Sequence, residues 1–124
     1  MNPRFTGAWL LHTYETVHAD GTTINPFGEH PRGMFSFAES GHFSVQLGPE
    51  VHEEGRYTAF YGTFDVTDGE TGVLTLQLET GSNPERISGE QVRRFRFTSP
   101  GEVKLQPPQA ADGSQSTITW RKAH

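Results

Sequence analysis

No cysteine occurs anywhere in the chain. A disulfide framework, a thiolate nucleophile and a cysteine-ligated metal are therefore excluded. Basic residues are also in short supply: 10 Lys and Arg stand against 15 Asp and Glu, for a formal net charge of -5 and a pI near 5.6. An acidic chain lacks the basic footprint of a nucleic-acid binder, so no nucleic-acid partner is expected. No apolar run is long enough to cross a bilayer as a helix, and no membrane partner is expected either. The opening MNPRFTGAW has no apolar core of a signal peptide, which makes the cytoplasm the expected location. There is no Gly-x-Ser-x-Gly elbow, Gly-rich phosphate cradle, nucleotide fingerprint or paired-carboxylate motif. No internal repeat or low-complexity tract interrupts the 124 residues, and a single domain over 1–124 is expected.

Turn formers and aromatics are what the chain does have. Its 14 glycines and 8 prolines favour many turns, hence an all-β fold. Nine phenylalanines against two methionines point to an aromatic core or cavity. The clearest strand is RYTAFYGTFDV at 56–66. Phe60, Gly62, Phe64 and Val66 share one face and Tyr57, Ala59, Tyr61, Thr63 and Asp65 the other, the period of two of a strand with one buried side. A glycine on the buried face marks a tight curl or a place where something else must fit.

Seven further strands are expected around it. The first, GAWLLHTYETVH at 7–18, alternates imperfectly; Trp9, Leu11, Thr13, Glu15 and Val17 share a face. Residues 22–33, with two prolines and two glycines, read as a lid-like loop. Segments 34–38 and 42–47 form a hairpin, with Gly41 in the left-handed position of a three-residue connection. That register sets Phe37 opposite Phe43 and Phe35 opposite Val45. A two-residue turn would set Ser44 and Gln46 there instead, and the apolar match is preferred. Strands at 73–79, 90–98, 102–106 and 116–122 complete the series, with a polar loop at 48–55 and a long turn-rich connection at 80–89. Eight antiparallel strands in sequence hide their edges by closing into an up-and-down barrel, whose interior just holds one small ligand. A two-sheet sandwich would need crossover connections that most of these loops are too short to make.

Several short stretches, in this order, resemble one family: GAW at 7–9, DGT at 20–22, PFGEHPRG at 26–33, SGHFSVQL at 40–47, YTAFYGTF at 57–64, SGEQVRRF at 88–95 and TWRK at 119–122. The chain resembles the lipocalin-like domain family of small, mostly bacterial proteins. That resemblance implies a calycin-type barrel with a cavity. It also implies that Trp9 and Arg121 pack across the closed end of the barrel, as a Trp and an Arg do in lipocalins proper. No catalytic motif carries over. Related small barrels in natural-product pathways act as cyclases, an analogy of fold that does not fix function.

Phe35, Phe37, Phe43, Phe60, Phe64, Phe95 and Phe97 should all point inward, either as simple core or as the wall of a pocket. The candidate ligand-binding set is Thr13, Phe35, Phe37, Phe43, Phe60, Phe64, Leu76, Arg93 and Phe95. Arg93 shares its face with Gln91, Phe95 and Phe97. A guanidinium inside a barrel needs a partner. Glu15 is one candidate, an anionic ligand held in fork geometry another; a position at the barrel mouth, reaching water, is the third reading. Arg93, Glu15 and Tyr61 are the candidates for polarising a substrate. A slipped register would also bring Tyr57, His42, Ser44 and Gln46 inward.

Six histidines raise the question of a metal. His12 and His18 share a strand face but lie about 20 Å apart, too far for one ion. His30 and His52, with Glu29, Glu53 and Glu54, fall in loops without ligand spacing. No metal and no cofactor are expected. Three functions stay open: binding of a small apolar molecule, with or without an anionic group; a cofactor-free cyclase or isomerase; and a barrel filled by its own side chains that acts as a homodimer. A void above about 300 Å³ would set the first two apart from the third.

Overall fold

The computed structural model describes residues 2–51, 53, 55–82 and 89–123. Their strands are β1 (Gly7–Val17), β2 (Thr23–Ile24), β3 (Arg32–Phe37), β4 (His42–Gly48), β5 (Thr58–Val66), β6 (Thr71–Gly81), β7 (Glu90–Ser99), β8 (Glu102–Gln106) and β9 (Gln115–Lys122). Among the described residues there is no helix. Each long strand pairs antiparallel with the next, and β9 returns to β1, so eight strands close into a barrel with no free edge. The ninth, β2, is an addition of two residues on β1. The loops expected at 48–55 and 80–89 lie partly outside the described residues.

The β3–β4 hairpin has the apolar register: Phe37 faces Phe43 and Phe35 faces Val45, with Gly41 at φ 88°. On β5, Gly62 and Phe64 are buried and Phe60 and Val66 half-buried, so the period of two holds. Gly62 serves the sheet rather than a pocket. The β5–β6 register shifts between Tyr61 and Gly62, and the Gln77 carbonyl of β6 occupies the space a Cβ would take.

The 22–33 segment is mostly loop, but its ends are strand. β2 and β3 lie along the same side of β1, at Thr16–Val17 and Gly7–Leu10 respectively. Between them runs a chain carrying Pro26 and Pro31, neither of which has an N–H to give a ladder. The strand is thus broken in the middle, and Phe27 from the break folds against Tyr14, ring centroids 5.1 Å apart.

One end of the barrel is filled solid by a segment that no strand pattern reveals. Phe5, fully buried, meets Phe37, Phe95 and Phe97 edge-on at centroid distances of 5.0–5.2 Å. The Trp9 indole N–H donates to the Phe5 carbonyl at 2.9 Å. Asn2, also buried, donates to the carbonyls of Thr67 and Gly69 in the β5–β6 turn. The cation over Trp9 at this end is Lys122, 4.7 Å from the ring centroid, and it also donates to the Thr6 carbonyl. Arg121, expected there, points outward on β9 and pairs with Glu102 at 3.1 Å. Alternation along β9 explains the exchange: with Ile118 and Trp120 buried, residue 122 faces inward and 121 out.

Candidate functional site

The other end of the barrel is hollow. A cavity of about 160 Å³ lies there. Its walls are largely hydrocarbon and aromatic: Phe35 from β3, Val45 and Leu47 from β4, Phe60 from β5, Leu76 and Leu78 from β6. Leu105, Ile118 and Trp120 supply the β8 and β9 side, and Phe27 closes over the top from the broken strand. The polar groups are few: Tyr14, Thr58, Gln91 and Arg93.

Arg93 reaches this cavity because β7 alternates as its sequence suggests, with Gln91 and Arg93 on the side of buried Phe95. Its guanidinium donates to the Val92 carbonyl at 3.0 Å and to Gln91 Oε1 at 2.9 Å. Both acceptors are neutral. Among the described residues, no carboxylate lies within ion-pair distance of it. Burial pushes the Arg93 pKa below its usual value, and Tyr14 partly offsets that. The group stays charged, since an arginine guanidinium is effectively never deprotonated in a protein. It is a half-buried cation that no carboxylate of the described residues answers.

Glu15 is not beside it. The β1–β9 register shifts between Leu11 and Thr13, a bulge that resets the alternation of the strand. Trp9 and Leu11 are buried before it; after it Tyr14 lines the cavity and Thr13 does not. Glu15 stands on the outer face, in a surface depression with Arg94, Arg96 and Lys104. Tyr61, 46% exposed, also faces outward. Of the residues singled out for ligand contact, Phe35, Phe60, Leu76 and Arg93 come together at the cavity. Phe37, Phe43, Phe64 and Phe95 are buried but lie outside its lining. Tyr14, Phe27, Gln91 and Trp120 complete the wall. For Gln91 and Trp120 the signal was available in the sequence, since each shares a strand face with an inward residue. For Tyr14 and Phe27 it was not, because one depends on a bulge and the other on a loop. Among the described residues, no group of three or more His, Asp or Glu side chains is placed to hold a metal.

Residues 6–60 match the family model of the lipocalin-like domain. No curated protein matches the chain significantly. Similar solved structures include a de novo designed fluorescence-activating β-barrel, at TM-score 0.51 and 16% identity, covering 97% of this chain and 94% of that one. A redesigned β-barrel, mFAP1, bound to DFHBI, aligns at TM-score 0.51 and 16% identity, over 96% of this chain and 95% of its own. EF1p2_mFAP2b, also bound to DFHBI, aligns at TM-score 0.57 and 15% identity, over 97% and 94%. At such identities the likeness is one of fold. The family match over β1 to the start of β5 and the closure of eight strands into one tube agree: residues 6–60 are similar to the lipocalin-like domain, and the fold is a closed antiparallel β-barrel.

Proposed function

We propose that the barrel binds a small, largely apolar molecule in its hollow end, and that Arg93 holds an anionic group on that molecule. The observation that carries this is the guanidinium itself: it faces a largely apolar cavity, and no carboxylate of the described residues answers it. A ligand carboxylate would supply two charge-assisted bonds in the fork geometry arginine favours.

Volume does not support the reading. At 160 Å³ the cavity is below the ~300 Å³ of a drug-sized site. Size alone therefore does not separate a binding barrel from a filled one. It does set the ligand's scale, since a protein cavity of about 150 Å³ takes up benzene. One ring with a small acid group fits. That two similar barrels are bound to DFHBI supports small-molecule binding by this architecture in general. A cofactor-free cyclase would need an acid or base converging with Arg93. Of the sequence candidates, Glu15 and Tyr61 face outward; Tyr14 is the one acid–base side chain of the described lining beside Arg93, and a lone phenol without a second acid or base favours binding.

Titration calorimetry with benzoate and with neutral benzamide tests it. Benzoate should bind the wild-type barrel, and Arg93→Leu should weaken it about 10- to 100-fold, the worth of a charge-assisted bond. Benzamide affinity should change little. Equal benzoate affinity in both proteins would overturn the assignment.

A further inference from the structure

Trp120 carries the one buried side-chain polar atom without a hydrogen-bond partner among the described residues, its indole Nε1. The residue is 2% exposed and lines the cavity, while Nε1 itself has under 1 Å² of accessible surface, so a ligand atom meets it only when the ring turns toward the void. The other tryptophan differs: Trp9 donates its indole N–H to the Phe5 carbonyl. A buried donor left unmade costs free energy, and native interiors rarely leave one. Phe35 stands edge-to-face with Trp120, centroids 5.4 Å apart and planes at 80°, but a ring face is only a weak acceptor. A phenylalanine at 120 would finish the apolar wall without the unpaired N–H.

We infer that Trp120 is a second anchor of the bound molecule, its indole N–H donating to an uncharged acceptor on the ligand. The inference rests on the binding reading above and makes it narrower. The ligand class becomes a ring acid with two unlike groups: an anion for Arg93, and a neutral acceptor, a ring nitrogen or a carbonyl or ether oxygen, for Trp120. Every polar side chain of the cavity can donate, from Arg93 and Gln91 to Tyr14 and Thr58. Among the described residues, no acceptor-only carboxylate lines it. Arg93 and the Trp120 indole are donor-only, so at those two points the wall favours acceptors on the ligand.

Benzoate, picolinate, nicotinate and isonicotinate probe this without changing size, because each pyridine acid replaces one ring CH by an acceptor nitrogen. The two indole N–H signals of ¹⁵N-labelled protein are followed during titration, Trp9 serving as the internal control. One of the three pyridine acids should move the Trp120 signal downfield and leave Trp9 in place, whereas benzoate should not. Trp120→Phe should weaken that acid about tenfold more than it changes benzoate binding, one hydrogen bond's worth. If Trp120→Phe does not fold, the wild-type titration decides alone. Binding of all four acids with no downfield movement of Trp120 would overturn the second anchor and leave the Arg93 reading intact. Binding of none of them would remove both.

Discussion

A side chain on Gly62 would collide with the Gln77 carbonyl and stand 3.1 Å from the Glu79 amide. Both are backbone groups of the neighbouring strand and cannot swing away. Gly62→Ala should therefore destabilise the barrel by about 3 kcal/mol, at the upper end of overpacking costs. Gly101, where a Cβ would meet nothing within 4 Å, is the control: Gly101→Ala should stay within about 0.5 kcal/mol of wild type. Urea unfolding of the two variants measures both, and equal stabilities would remove the close approach as the reason for Gly62. Arg93 gives the opposite expectation at the same scale. Removing a half-buried charge that no carboxylate of the described residues pairs relieves its desolvation, while a leucine keeps much of the hydrocarbon contact. Arg93→Leu should leave the empty barrel as stable as wild type, or more stable by up to about 1 kcal/mol. A clear loss of stability in the ligand-free protein would point to a structural role for Arg93 instead.

At the scale of elements, the strands were readable wherever alternation was regular, as in β3, β4, β5 and β7. β1 was readable as a strand but not in its facing. Reading straight through the bulge at Leu11–Thr13 puts Thr13 and Glu15 inside, whereas the chain puts Tyr14 there. A bulge is a tertiary accommodation to two neighbouring strands, and apolar residues on both faces of β1 were its only local trace. The segment before β1 was not readable at all. Phe5 sits among proline, arginine and glycine with no periodic neighbour, yet it is buried against four aromatic rings. Phe5→Ala should cost about 3–5 kcal/mol, the range for deleting a buried phenyl. A loss below about 1 kcal/mol in denaturant unfolding, far under that range, would show that the N-terminal plug is dispensable.

Over the whole molecule, the barrel was readable because its connections are short, while the division of its interior was not. Seven inward phenylalanines look alike in sequence. Which of them pack solid depends on where Phe5 inserts, and which border a void depends on where Phe27 folds. The result is an uneven tube. Its filled end is closed by tight turns and by rings in mutual contact; its hollow end has the cavity and the broken strand beside β1. Local opening follows density of buried contact. Amides near Phe43, Phe64 and Phe95 should therefore exchange more slowly than those near Leu47, Thr58 and Gln91 on the same three strands. A ligand stabilises only the conformations that bind it. At about 100 times its Kd, it should slow exchange at the hollow end by up to about 100-fold. At the filled end a smaller effect is expected wherever exchange proceeds through openings that leave the cavity intact. Hydrogen exchange with and without benzoate reads both ends in one experiment. Uniform rates along each strand, slowed uniformly by ligand, would mean that the tube opens only as a unit and that its two ends are not distinct in stability.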